Sequence, residues 1–276
     1  MRVDARGLRF EVTVGGPEQG EPVLLLHGFP QHSGEWDGVS PTLHAAGLRT
    51  YALDQRGYSP QARPTQVEAY RLAELVADAA AVLDALGVAT AHVVGHDWGA
   101  IVGWALAASR PDRVRTLTAV SVPHPAAMAH ALDNDPQQKA RSAYMLLFRQ
   151  PVVAEKTLLA LGAAGLRRLL HGVGDANRAA GYTDPMRGPG ALTAALNWYR
   201  AMSRREFAAV GPVAVPTTYV WSDGDVAIGR VAAGACAAHV SGDFRYVELA
   251  GVSHWIPDEA PAPLGEAILA RTLPAG

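Results

Sequence analysis

Hydrophobic and polar positions along the chain follow two rhythms. Leu8 to Val14 alternates with period two, which predicts a strand, and Gly15-Gly16-Pro17 supplies the turn that ends it. Val23-Leu24-Leu25-Leu26 is a short continuous apolar run, the pattern of a strand covered on both faces. A similar run from Thr50 to Leu53 stops at Asp54. Leu72, Leu75, Val76, Ala79, Leu83 and Leu86 then recur at three- and four-residue intervals. They predict an amphipathic helix between Thr65 and Leu86, closed by Gly87. His92-Val93-Val94 predicts another buried strand, Ala100 to Ala108 a helix, and Val114 to Val122 a strand again. Strands alternating with helices imply an α/β fold, a mostly parallel central sheet flanked by helices on both faces.

The rhythm changes after Pro123-His124-Pro125. From about 125 to 211 the chain is rich in alanine and leucine, helical in period and free of strand patterns. Strand-like runs resume at Val213 to Trp221 and Phe244 to Leu249. The expectation is a helical cap, residues 125–211, inserted into an α/β core made of residues 1–124 and 212–276. A length of 276 residues suits one large domain with such an insertion. With 49% hydrophobic and 18% charged residues, a sizeable core is available and disorder is not expected. A net charge of -2 provides no basic field for nucleic acid. Cys236 is the sole cysteine, which excludes an internal disulfide framework and a cysteine-built metal site. The first residues lack a secretory apolar stretch, and no run is long enough to span a bilayer, so a cytoplasmic chain with no membrane partner is expected.

Candidate chemistry concentrates in Val93-Val94-Gly95-His96-Asp97-Trp98-Gly99-Ala100. A residue at a tight strand-to-helix turn is held in a strained conformation, and its flanks must be small. Gly95 and Gly99 meet that demand, leaving Asp97 at the apex, above the carboxyl ends of the strands where open α/β sheets bind ligands. Gly-x-Asp-x-Gly also suits a turn with a helix-capping aspartate; its place between a buried strand and a helix favours the nucleophile. A carboxylate attacks an electrophilic carbon to form an alkyl ester that water then cleaves. The loop His27-Gly28-Phe29-Pro30 follows a strand, and the N–H groups of Phe29 and Trp98 are candidates for an oxyanion hole. His27 is expected to orient this loop rather than act as a base.

His254, in Gly251-Val252-Ser253-His254-Trp255, lies just beyond the last predicted strand and is the candidate base. The order nucleophile, acid, histidine fits a fold of this kind. The acid should follow the strand ending at Trp221, where Ser222-Asp223-Gly224-Asp225-Val226 offers two candidates. Asp225 is preferred because it lies deeper in the loop beside an apolar run; Asp223 remains the alternative, with an Asp-Gly turn as its structural use. Asp54-Gln55-Arg56-Gly57-Tyr58-Ser59 is assigned to structure, bracing the loop near His27 through an ion pair.

With these motifs in place, the chain resembles the epoxide hydrolases of the α/β-hydrolase fold, in the branch with an aspartate nucleophile. The resemblance is carried by His27-Gly28-Phe29-Pro30, Asp54 to Ser59, Gly95-His96-Asp97-Trp98-Gly99 and Ser253-His254-Trp255, and fits least well in the insertion. It implies two tyrosines in the cap that donate hydrogen bonds to the epoxide oxygen. Leu196-Asn197-Trp198-Tyr199-Arg200 points to Tyr199, and Tyr144, four residues before Phe148, fits the other position. The implied reaction converts a small apolar epoxide and water to a vicinal diol, with no metal or organic cofactor. Trp98, Trp198 and Trp255 are the candidate substrate-contacting aromatics.

Two other functions fit parts of the pattern. A haloalkane-type dehalogenase uses the same Asp-His-Asp triad and would cradle halide with indole N–H groups, for which Trp98 and Trp198 are available. It generally lacks the tyrosine pair, and the arginines that fluoroacetate-type relatives need after the nucleophile are missing from Trp98-Gly99-Ala100-Ile101. A non-catalytic small-ligand-binding protein on the same fold has no need to retain Asp97, Asp225 and His254 together.

Overall fold

In the computed structural model, which describes residues 1–273, eight strands form one sheet. They are β1 (Arg2–Ala5), β2 (Leu8–Gly15), β3 (Glu21–Leu26), β4 (Leu48–Asp54), β5 (Ala91–His96), β6 (Val114–Val120), β7 (Thr217–Ser222) and β8 (Phe244–Leu249). Their spatial order is β1-β2-β4-β3-β5-β6-β7-β8. The β1–β2 and β2–β4 pairs are antiparallel and the remaining pairs are parallel.

The apolar runs become the buried middle of this sheet. Val23 to Leu26 are each fully buried, and every residue of β5 is buried, because helices cover both faces. The predicted amphipathic helix is Leu72–Ala85, preceded by a 3-10 turn at Val67–Tyr70, and Gly87 follows it at φ +70°. The helix after β5 runs from Trp98 to Ser109 and is apolar on all sides, with Trp98 through Ala107 buried.

Two features differ from the sequence pattern. The strand β1 was not expected; four residues, two of them charged, give too little alternation to stand out, and pairing to β2 makes it a strand. The run from Val213 to Trp221 becomes a strand only from Thr217. Pro216 has no N–H to give a ladder, and Val213 forms only an isolated bridge to Val240.

Between β6 and β7 every regular element is a helix, from Pro125–Asn134 to Arg204–Ala208, joined by short loops. Its longest helix, Val153–Leu169, is interrupted by non-helical backbone at Ala160 to Ala163. This helical stretch is tied to the rest of the molecule at separate points. Arg178 Nε meets Asp258 Oδ1 at 2.6 Å, and Trp198 Nε1 donates to the Arg56 carbonyl at 2.9 Å. Among the described residues no helix is long and apolar enough to cross a membrane.

Candidate active site

Parallel strands bring four carboxyl-end loops to one edge of the sheet. Leu26 pairs with Gly95, so the loop after β3 lies beside the turn after β5. Ser222 pairs with Leu249, so the loops after β7 and β8 also run side by side. Residues distant in sequence thereby converge on Asp97.

Asp97 has φ 51° and ψ −118°, a conformation disfavoured for any residue with a Cβ. Close packing at its flanks holds it there. A Cβ on Gly95 would overlap the Gly99 backbone, and one on Gly99 would overlap the Leu26 carbonyl. The Phe29 N–H donates to Asp97 Oδ1 at 2.9 Å. On the other side His254 Nε2 stands 3.4 Å from Asp97 Oδ2, and His254 Nδ1 is 2.8 Å from Asp225 Oδ2. The second oxygen of Asp225 accepts from the Ala227 and Ile228 N–H groups at 2.7 and 2.9 Å. Asp223 faces away, accepting from the Gly251 N–H on the exposed side of the loop. Of the two candidate acids, only Asp225 touches His254.

Burial by itself would lower the His254 pKa, but carboxylates at both ring nitrogens outweigh it and push the imidazole up to about 10. Burial raises the Asp97 carboxyl, yet hydrogen bonding and charge from His254 leave it below the usual carboxylate range. The resting pair is therefore imidazolium and carboxylate.

A cavity of about 230 Å³ opens in front of Asp97 and is lined also by Phe29, Tyr144, Tyr199, His254 and Trp255. A second, narrower space of about 30 Å³ shares Asp97, Tyr144 and Tyr199 and is walled by Trp98, Met145 and Phe207. The two phenol rings lie 6.4 Å apart between centroids. Burial first, and then the negative charge of Asp97, raises the Tyr144 pKa; burial, Tyr144 and Asp97 raise that of Tyr199. Both phenols stay protonated and able to donate.

Trp198 requires a correction. It lines neither of these spaces, its indole N–H is taken by the Arg56 carbonyl, and its ring packs edge-on to Trp98 at 5.5 Å. Trp255 and Trp98 do face the cavities. The brace around His27 is also different from the ion pair expected. Arg56 is paired with Asp78 at 2.5 Å, while Asp54 accepts from the Ser33 N–H. His27 is held instead by Gln55, whose N–H donates to His27 Nε2 and whose side chain donates to the His27 carbonyl. Burial lowers the His27 pKa to about 4, which keeps Nε2 free to accept.

Sequence reasoning passed over two buried groups beneath the site. His96 Nε2 lies 3.0 Å from the His254 carbonyl, and His96 Nδ1 lies 3.2 Å from Glu35 Oε2. Burial lowers the His96 pKa to about 4 and raises Glu35 far above the carboxylate range, so the pair is neutral, with the Glu35 proton directed at Nδ1. The position of His96 next to the nucleophile was a signal in the sequence; Glu35 carried none.

The α/β hydrolase fold family model matches residues 21–261. The chain belongs to that family. Within the family it stands among the epoxide hydrolases. Epoxide hydrolase A of Mycobacterium tuberculosis is 32% identical over 97% of this chain and 95% of its own. The AB hydrolase superfamily protein YfhM of Bacillus subtilis is 34% identical over 97% of this chain and 95% of its own. Among solved structures, an epoxide hydrolase from Bacillus megaterium, complexed with a naphthyloxy-propanediol product, superposes with a TM-score of 0.88. It is 26% identical, covering 97% of this chain and 98% of that one. Epoxide hydrolase A from Mycobacterium thermoresistibile gives a TM-score of 0.85 at 28% identity, covering 98% and 96%. The resemblance read from the motifs of this α/β-hydrolase-fold chain is thus borne out at the level of fold and family.

Proposed function

We propose that this site hydrolyses an apolar epoxide to a vicinal diol through an ester on Asp97, under a cap formed by residues 125–211. The observation that carries the proposal is one cavity holding an ionised Asp97, a His254–Asp225 pair at its back and two protonated phenols, Tyr144 and Tyr199. An oxygen of Asp97 attacks an epoxide carbon and the ring C–O bond breaks. Tyr144 and Tyr199 hydrogen-bond the departing oxygen, and one of them gives it a proton. Because both phenols have raised pKa values, the phenolate recovers its proton from the His254 imidazolium. Esterification has removed the Asp97 charge that helped hold that proton, so His254 is left neutral and able to act as a base.

Water then loses a proton to His254 and attacks the Asp97 carbonyl carbon. The oxyanion that forms is met by the Phe29 N–H, which already donates to this carboxylate, and by the Trp98 N–H. Collapse breaks the ester C–O bond, and the acid proton passes to the leaving alkoxide. Diol departs, Asp97 is again a carboxylate and His254 an imidazolium, the starting state. No step routes through a metal or organic cofactor. The partners are the epoxide and water, and the apolar walls suit an apolar substrate.

The test is hydrolysis of aryl and alkyl epoxides and of haloalkanes, with intact-protein mass measured alongside. Asp97→Asn should abolish diol formation, and His254→Gln should accumulate protein heavier by one substrate. Halide release without diol would move the activity to haloalkanes and remove the roles given to Tyr144 and Tyr199. Diol formation that survives Asp97→Asn would overturn the covalent mechanism.

A further inference from the structure

The helix Pro136–Arg141 carries a buried side chain that the chemistry above does not use. Gln138 is fully buried, and its amide is directed almost entirely at the loop that follows β7. Nε2 donates to the Ala227 carbonyl at 2.8 Å, and Oε1 accepts from the Gly229 N–H at 2.8 Å. Nε2 also donates to Ser142 Oγ at 2.9 Å. At the end of the same helix, Arg141 donates to the Asp225 carbonyl at 2.6 Å. The insertion thus grips residues 225, 227 and 229 of one short loop.

That loop is the one whose peptides hold the acid. Ala227 is bound at both ends of its backbone: its N–H donates to Asp225 Oδ1 and its carbonyl accepts from Gln138. The neighbouring Ile228 N–H, the second donor to Asp225 Oδ1, lies between the two residues that Gln138 holds. A buried amide is costly unless its donors and acceptor are met, and a methionine would fill similar space without that demand. Glutamine is therefore explained by where it puts the loop rather than by packing.

We propose that Gln138 is a positioning residue for the charge relay, fixing the Asp225–Gly229 loop so that the Ala227 and Ile228 N–H groups keep the Asp225 carboxylate on His254. The inference rests on Asp97, His254 and Asp225 acting as described under the proposed function. It has a selective consequence. Ester formation is carried out by Asp97 and the two tyrosines, to which Gln138 donates no hydrogen bond among the described residues. Ester hydrolysis depends on His254 as oriented by Asp225. Loss of Gln138 should slow the second half-reaction and spare the first.

The experiment is rapid-quench single turnover of an aryl epoxide, following both diol and the mass of the ester-bearing protein. Gln138→Met should slow ester breakdown about tenfold, the effect of roughly one hydrogen bond's worth of misplacement, while ester formation changes about threefold or less. Ester should then build up in the steady state to a higher level than in the unaltered protein. An equal loss in both half-reactions, or no change in either, overturns the proposal. Should Gln138→Met fail to fold, Arg141→Met removes the other tie to the loop. Because Arg141 also lines the cavity, the reading there is the ratio of the ester-breakdown rate to the ester-formation rate, which should fall; an unchanged ratio overturns the proposal equally. His254→Gln serves as the reference. Ester on that protein with no excess on the Gln138 and Arg141 variants defeats the positioning role alone. No ester on His254→Gln defeats the nucleophile reading, and the positioning role with it.

Discussion

Asp223 and Asp225 stand two residues apart in one loop, with the same side chain and opposite surroundings. Asp225 is 1% exposed and meets two backbone N–H groups and His254; Asp223 lies on the open side and holds only the Gly251 N–H. A carboxylate steers an imidazole only from within hydrogen-bond reach, where it selects the tautomer and supports the cation. Asp225→Asn is therefore expected to lower the rate of diol formation by about a hundredfold or more, with the loss falling on ester hydrolysis. Asp223→Asn should stay within about twofold, since an exposed turn hydrogen bond carries little. Steady-state kinetics on one epoxide separates the two; a larger loss at Asp223 would reverse the assignment. Trp198 makes the same point in the other direction. Its sequence neighbourhood suggested a substrate contact, and its N–H is satisfied 142 positions away at Arg56.

At the scale of elements, the strand-turn-helix from β5 into Trp98–Ser109 presses against the end of β3. The three glycines Gly28, Gly95 and Gly99 have different neighbours. A Cβ on Gly99 would run into the Leu26 backbone carbonyl, part of the sheet itself, whereas one on Gly28 would meet the Asp97 side chain. Backbone in a paired strand cannot yield without losing ladder bonds, while a side chain gives way at the cost of its position. Gly99→Ala should destabilise the fold by about 1–3 kcal/mol or more, read as a lowered denaturation midpoint. Gly28→Ala should leave the midpoint closer to that of the unaltered protein and still lose diol formation, because the nucleophile is displaced. If Gly28→Ala retained full activity, the packing of Asp97 against that loop would not control its position.

For the whole molecule, buried histidines tie stability to pH. His27, His96 and His124 are each lowered to about 4, chiefly by burial. Unfolded histidines take up protons near pH 6.5, so below that value the unfolded chain binds more protons and stability falls as pH drops towards 4. Each group contributes at most ~1.4 kcal/mol per pH unit in that window. His254 works in the opposite sense: raised to about 10, it stabilises the fold fully below 6.5 and loses that contribution as pH rises towards 10. Denaturant midpoints measured from pH 4 to 10 should therefore peak near 6.5, and His254→Gln should lessen the fall on the alkaline side. A midpoint that rose steadily through pH 9 would contradict the raised imidazole. The sequence alone determined the parallel α/β core, the run of helices after β6, the turn that presents Asp97, and His254 beyond the last strand. Those features are written in contiguous residues: apolar runs, helical spacing, and glycines on either side of one turn. Tertiary structure alone brought Asp225 and not Asp223 against His254, sent the Trp198 indole to Arg56, paired Arg56 with Asp78 and set Glu35 beneath His96. Each of these depends on which distant backbone or side-chain group arrives to satisfy a buried polar atom, and that is fixed only when the sheet closes and the helices after β6 pack on it.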